Sequence, residues 1–318
     1  MEGSHPGWTQ NLIAALRLQP GERLAIVMDE PLAPEAEEMA AAARDLGAEP
    51  EIAMWQGERP LEHAPPAVLE AGNRADVAIH IQQAPRGEEA ACRFELLEAV
   101  TGHDGRMIFM GLVDGELLRG ELSQASPNLE RQARTLLDAL EGAKEIHVRG
   151  AAGTDLVLGV EGRPFHTDAL PLEPGQMANY PGGEVFCSPL ETEANGVLVA
   201  DLTVPYTVEG LVDEPVRITF EGGRVTSIEG GEAAAMLRRL VDDAGQGADV
   251  IAELGIGFYP GLEPRGHVML DEKAAGTAHV AIGKNTGVYG GVNDAKIHVD
   301  CIFSTPTFEV DGAPLALP

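Results

Sequence analysis

The segment Ile297-His298-Val299-Asp300-Cys301-Ile302-Phe303 has the two-residue period of a strand, so His298 and Asp300 share one face while Val299 and Cys301 share the other. An imidazole and a carboxylate fixed side by side on a strand form half a shell for a divalent cation. The same pair also suits a plain His/Asp hydrogen bond at a strand end. His279 lies in a second apolar run, Thr277 to Gly283, as either another ligand or a buried ring satisfied by one hydrogen bond. Glu272 follows Asp271 near what reads as one helical turn, where the plain expectation is a solvated helix-start acid capped by Asp271. Two further carboxylates interrupt apolar stretches: Glu184, just after Gly182-Gly183, and Glu253 within Val250 to Gly257. A buried carboxylate is costly unless neutralised, and the chain has only four lysines, Lys144, Lys273, Lys284 and Lys296, to do it. A metal ion is an efficient partner. Glu184, Glu253, His279, His298 and Asp300 together offer the mixture of carboxylate and imidazole that holds one or two borderline divalent ions.

The elements that must position these groups divide by texture. Leu24–Met28, Glu51–Trp55, Val77–Ile81 and Met107–Met110 read as buried strands. They alternate with helices over Pro34–Leu46, Glu88–Val100 and Ser126–Leu140, the last capped by Ser126 with Pro127 in its first turn. Strands alternating with helices give an α/β domain with a mainly parallel sheet. After Gly142 short strands dominate: Glu145–Arg149, Leu156–Val160, Val197–Val204, Val216–Phe220 and Arg224–Ile228, with a turn at Glu221-Gly222-Gly223-Arg224 and one helix over Glu232–Asp243. The expectation is therefore an α/β domain over 1–145 followed by an α+β metal-binding, catalytic domain over 146–318. No glycine-rich stretch matches a nucleotide-binding pattern.

The 318 residues are 44% apolar, enough for two cores, and carry a formal charge of −29. Such a surface repels nucleic acid and anionic membrane, so the partners expected are small molecules. The scarcity of lysine beside arginine fits a GC-rich genome or a high-salt cytoplasm. Three scattered cysteines, no apolar run of membrane-spanning length and no leader pattern point to a cytoplasmic protein without a disulfide framework. The non-enzymatic alternative is a structural metal site or a satisfied polar network. Structural zinc sites are usually cysteine-rich, whereas strand alternation turns Cys187 and Cys301 away from the neighbouring ligands.

The blocks Gly183-Glu184-Val185-Phe186, Glu253-Leu254-Gly255-Ile256-Gly257, Asp271-Glu272-Lys273, Gly276-Thr277-Ala278-His279 and Ile297-His298-Val299-Asp300 stand in an order that resembles the thermophilic aminopeptidases, the two-metal exopeptidases of the aminopeptidase T and aminopeptidase S type. The resemblance covers roughly the C-terminal half. It implies metal ligands at Glu184, Glu253, His279, His298 and Asp300, a general base at Glu272, zinc, cobalt or manganese as the ions, removal of N-terminal residues from short peptides or small amides, and a homodimer. Where the peptidases carry a tyrosine after the first histidine this chain has Thr286, with Tyr289 nearest to replace it. The chain is similar as well to 2,5-dihydroxypyridine dioxygenase. That likeness implies His279, His298 and Asp300 as the face that holds Fe(II) in a ring-cleaving enzyme acting on a dihydroxylated ring.

Overall fold

A computed structural model describes residues 5–83, 85, 89–123, 128–169 and 171–318. The chain divides into two compact units, Met1–Pro127 with Leu170–Pro181, and Asn128–Ala169 with Gly182–Pro318. This differs from a single cut at 145/146 for two physical reasons. The helix before that point packs with the second unit, and a later segment returns to complete the first unit's sheet.

In the first unit the order is α1 (Gly7–Leu16), β1 (Arg23–Asp29), α2 (Ala33–Leu46), β2 (Glu49–Trp55), α3 (Pro66–Arg74), β3 (Val77–Gln82), α4 (Ala90–Thr101), β4 (Arg106–Gly111) and α5 (Gly115–Arg119). Asn128 then leads into α6 (Leu129–Leu140) of the second unit; the expected cap at Ser126-Pro127 lies outside the described residues. After β5 (Glu145–Gly150), β6 (Asp155–Gly159) and β7 (His166–Thr167), the chain returns to the first unit for β8 (Met177–Asn179). The first sheet runs β2-β1-β3-β4-β8 with every pairing parallel. Such a sheet needs cover on both faces, and all of β1 after Arg23 is buried. Val68 and Ala71 of α3 and Cys92, Leu96 and Val100 of α4 join one core with Ala25, Val27, Trp55 and Ala78. By strand alternation Leu24, Ile26 and Met28, also fully buried, belong to the opposite face. The helix signals in the sequence act as expected in α2: Pro lies in its first turn, and Gly47 closes it at φ 93° with its N–H on the Ala43 and Arg44 carbonyls.

His80 is buried in this core between Trp55 and Phe109, with ring centroids 4.5 and 5.2 Å away. Burial pushes its pKa down to about 3. The unfolded chain therefore binds a proton below the ordinary histidine range that the native state refuses, and stability falls as pH drops from about 6.5 toward 3, by up to ~1.4 kcal/mol per pH unit. Trp8 and Trp55 both belong to this unit, so tryptophan fluorescence reports its unfolding. Urea titrations at pH 7 and pH 5 are expected to show a loss in the parent at least ~1 kcal/mol larger than in His80→Leu. Equal losses would show that His80 does not set the acid limb.

The second unit continues with β9 (Glu184–Cys187), β10 (Ala194–Ala200), β11 (Val216–Glu221), β12 (Arg224–Glu229), α7 (Glu232–Ala244), β13 (Ile251–Gly257), α8 (Val268–Asp271), β14 (Thr277–Gly283), β15 (His298–Ser304), β16 (Pro306–Val310) and β17 (Ala313–Pro314). It holds a seven-stranded sheet, β12-β11-β10-β6-β5-β16-β17, and a five-stranded one, β15-β14-β13-β9-β7, in both of which every pairing is antiparallel. The expected strand over Val197–Val204 ends early, at Ala200, because Asp201 turns to accept hydrogen bonds from the Ser304 backbone N–H and hydroxyl at 2.8 and 2.7 Å. Among the described residues no helix is long and apolar enough to cross a membrane.

Candidate metal centre

The five-stranded sheet of the second unit carries the chemistry, and its register explains how. Gly257 lies opposite Glu184, Gly255 opposite His279, Ala281 opposite Asp300 and Gly283 opposite His298. Residues directly opposite on an antiparallel pair share a face. Four strands thus present five candidate ligands on one face, each across from glycine or alanine, and the cleared space lets long side chains lean to a common point. A Cβ on Gly255 would overlap the His279 ring. The other face is apolar: Leu254, Ile256, Val280, Ile282 and Val299 are buried there, with Cys187 and Cys301 as free thiols. Glu253 enters beside a bulge, where the β13–β14 register shifts between Ile251 and Glu253.

The structure brings all five residues together. Glu184, Glu253 and His279 form one group of ligand atoms mutually within 4.8 Å, and Glu253, His298 and Asp300 form a second. Glu253 belongs to both. Its Oε1 lies 3.6 Å from His279 Nε2 and its Oε2 lies 3.0 Å from His298 Nε2. His279 Nε2 is also 3.7 Å from Glu184 Oε2 and 4.0 Å from Asp300 Oδ1. The three separations at His279 Nε2 are too long for hydrogen bonds, and the two to Glu253 and Glu184 are near the roughly 3–3.5 Å expected of donors that share an ion at ~2.1 Å. The Oε2 atom of Glu184 and Nδ1 of His279 are buried without hydrogen-bond partners.

His298 supplies the sharper test of fit. Its Nδ1 lies 2.6 Å from the Lys284 carbonyl oxygen, which can only accept, so Nδ1 carries the hydrogen. In a neutral ring the Nε2 lone pair then faces carboxylate oxygens at 3.0 Å (Glu253) and 3.1 Å (Asp300), which demands a positive charge between them. Titration answers the same way. Burial opposes charge on His279 and His298, yet the carboxylates push their pKa values up to about 10 and about 12. Burial raises Asp300 and Glu253, but the two imidazoles prevail and hold Asp300 at about 2 and Glu253 below the usual range. Burial lifts Glu184 to about 8 and raises Glu272, against the lowering influence of Lys273. The carboxylates thus favour positive charge at both ring nitrogens, and this mixture of carboxylate and imidazole donors fits divalent ions.

Glu272 is not a solvated helix-start acid. It follows the C-terminal end of α8 and is 7% exposed. Asp271, fully buried, accepts from the Arg265, Gly266 and His267 backbone N–H groups and the Thr203 hydroxyl, so it shapes the preceding loop rather than capping a helix start. Tyr289 reaches the cluster from the loop after β14. Its ring stacks on His298 at 4.6 Å and 16°, with Phe186 edge-on at 6.1 Å. Burial and the fields of Glu253 and Asp300 push its phenol far above the ordinary range. Asn285 fixes this loop by donating to Ser188 Oγ and Glu191 Oε1 and accepting from Asn293 N.

Three residues at the site were not read from the sequence. Lys273 and Asp168 stand among the carboxylates. His166, on the edge strand β7, lies against Phe186 at 5.6 Å, and its Nε2 is buried without a hydrogen-bond partner.

The signature of the family described as NicX: 2,5-dihydroxypyridine 5,6-dioxygenase matches residues 7–317. The chain belongs to that family. Among characterised relatives, this NicX-family chain is 31% identical over 178 residues to 2,5-dihydroxypyridine 5,6-dioxygenase of Pseudomonas putida, covering 51% of this chain and 49% of that one. It is 27% identical over 184 residues to aminopeptidase AmpS of Bacillus subtilis, covering 51% and 44%. The chain thus spans about half the length of the curated relatives it matches. The solved structure of the Pseudomonas putida dioxygenase aligns with a TM-score of 0.74 at 21% identity, over 98% of this chain and 94% of the other, and so shares the fold. Both resemblances seen in the sequence, to the aminopeptidases and to the dioxygenase, are present among these relatives, all of which are named as enzymes.

Proposed function

We propose that this NicX-family chain is a metal-dependent hydrolase that removes N-terminal residues from short peptides or other small amides. The observation that carries this reading is Glu253, which turns one carboxylate oxygen toward each histidine and is common to both ligand groups. A single ion needs no such sharing, whereas two ions a few ångströms apart do. Glu184 and His279 would complete one site, His298 and Asp300 the other. Bound divalent ions, zinc, cobalt or manganese, would acidify water and polarise the scissile carbonyl.

Glu272, buried with a raised pKa, takes the proton of the attacking water and returns it to the leaving amine. Its Oε1 is held 3.0 Å from Lys273 Nζ, which fixes the carboxylate for that task. Tyr289, stacked on His298, stands in for the tyrosine that the peptidases carry where this chain has Thr286. The surplus of carboxylates favours a substrate with a protonated amine. The same reading includes a cytoplasmic homodimer, with no nucleic-acid or membrane partner.

A second reading is supported by the family match over 7–317 and by Thr286 at the peptidase tyrosine position. In it His279, His298 and Asp300 hold one Fe(II) for cleavage of a dihydroxylated, pyridine-like ring. Elemental analysis of protein purified without added metal separates the two, together with assays of amine release from aminoacyl anilides and of oxygen uptake with a dihydroxypyridine. Two zinc, manganese or cobalt ions per chain with amine release support the hydrolase. One iron per chain with oxygen uptake overturns it.

Gly255→Ala tests the cleared face. The added methyl overlaps the His279 ring, and the imidazole must leave the cluster. The expected result is at least ~10-fold weaker binding of Zn2+ in equilibrium dialysis, at a stability cost of roughly 1–3 kcal/mol. Parental affinity would show that the ring does not ligate from this position.

A further inference from the structure

We propose that Lys273 is a positioning residue of the two-ion centre, an ammonium that takes one oxygen of Glu184 and one of Glu272 so that the remaining Glu184 oxygen serves an ion and the remaining Glu272 oxygen faces the attacking water. The inference rests on the hydrolase reading and goes beyond it, because none of the relatives' names speaks to this lysine.

Lys273 is fully buried, and its Nζ lies 2.5 Å from Glu184 Oε1, 2.8 Å from Asp168 Oδ2 and 3.0 Å from Glu272 Oε1. Burying an ammonium is costly unless it is fully paired, and here three carboxylates pair it. The consequence for Glu184 is directional. With Oε1 engaged, Oε2 is left without a hydrogen-bond partner and lies 3.7 Å from His279 Nε2, within the ligand group that also contains Glu253.

Asp168 makes the arrangement rigid. Its Oδ1 accepts from the backbone N–H groups of Gly183 and Glu184 at 2.7 and 3.1 Å, while its Oδ2 meets the ammonium. The strand end that carries Glu184 and the turn that carries Lys273 are thereby tied through one carboxylate. The turn is pinned again by the Tyr259 N–H on the Lys273 carbonyl at 2.7 Å, and Tyr259 packs so closely on Gly183 that a Cβ there would lie 2.7 Å from its own.

Charge points the same way. With every carboxyl ionised and both imidazoles neutral, Asp168, Glu184, Glu253, Glu272 and Asp300 outweigh Lys273 by four negative charges, which two divalent ions balance. Among the described residues the ammonium's ion pairs lie on the Glu184–Glu272 side, with Asp168 as the third partner. Neither His298 nor Asp300 is among its partners at ion-pair distance. Lys273 therefore governs the ion held by Glu184, Glu253 and His279, and leaves the other to Glu253, His298 and Asp300.

Metal-free protein titrated with Mn2+ by equilibrium dialysis and electron paramagnetic resonance tests this assignment. The parent is expected to bind two Mn2+ per chain with a spin-coupled signal. Lys273→Met is expected to keep one ion within threefold of the parental affinity, to bind the second at least tenfold more weakly, and to show the six-line spectrum of isolated Mn2+. Asp168→Asn, which leaves every proposed ligand and the ammonium in place, is expected to weaken the same ion threefold to tenfold. It decides the question if Lys273→Met does not fold. Loss of both ions to the same extent, or retention of both, in either variant overturns the positioning role while the hydrolase reading stands. A parent that binds no Mn2+ or only one overturns the hydrolase reading, and this inference with it.

Discussion

Replacement of Glu272 by glutamine is expected to lower the turnover of a small amide by roughly 10²–10⁴-fold while the metal content stays at the parental level. The amide side chain keeps the shape of the glutamate and a carbonyl oxygen for Lys273, but it cannot accept the proton of an attacking water. Glu272 is suited to that role by its surroundings. Burial raises its pKa, Lys273 at 3.0 Å restrains it, and Asp271 holds the preceding loop through three backbone N–H groups. Steady-state kinetics and elemental analysis of the same preparation check the prediction. Turnover within a few-fold of the parent would remove Glu272 from the chemistry, and loss of metal would recast it as a ligand.

The second large effect is expected at His298. Its Nε2 stands between Glu253 Oε2 and Asp300 Oδ1, and its Nδ1–H is fixed on the Lys284 carbonyl. Removing the ring in His298→Ala takes one nitrogen donor from the group that it shares with those carboxylates. Affinity for Zn2+ is expected to fall at least ~100-fold at that group, beyond the 10–100-fold typical of losing a residue that merely supports a ligand. The fold should persist, because His298 begins its strand with its side chain partly exposed, and the apolar face of β15 is untouched. Circular dichroism and equilibrium dialysis report on the two aspects separately. Unchanged metal content in a folded variant would refute the assignment.

The positions of the ligands were legible because strand periodicity is local. Ile297–Cys301 alternates strictly, so that His298 and Asp300 share a face, and Cys301 falls on the opposite one as the same alternation requires. The parallel sheet was legible for a similar reason: its strands are nearly continuous apolar runs closed by helix signals such as Gly47. What the sequence concealed depends on partners distant in the chain. Lys273 stands beside two acids in the sequence, but its contacts with Glu184 and Asp168 come from far back in the chain and no local period announces them. Asp168 falls in a stretch without strand periodicity, and the three-residue strand β8 is too short to show any. One signal was present but unread. In Glu253-Leu254-Gly255-Ile256-Gly257 and His279-Val280-Ala281-Ile282-Gly283 every second residue after the ligand is small, which is what a face cleared for long neighbours demands.

A crystal structure of the chain soaked in Mn2+, with anomalous scattering recorded at the manganese edge, tests the central claim most directly. Two peaks are expected, one within bonding distance of Glu184, Glu253 and His279, the other within bonding distance of Glu253, His298 and Asp300, with one Glu253 oxygen on each. A single peak on His279, His298 and Asp300 with Glu253 unbound, or no peak at these residues, would contradict it.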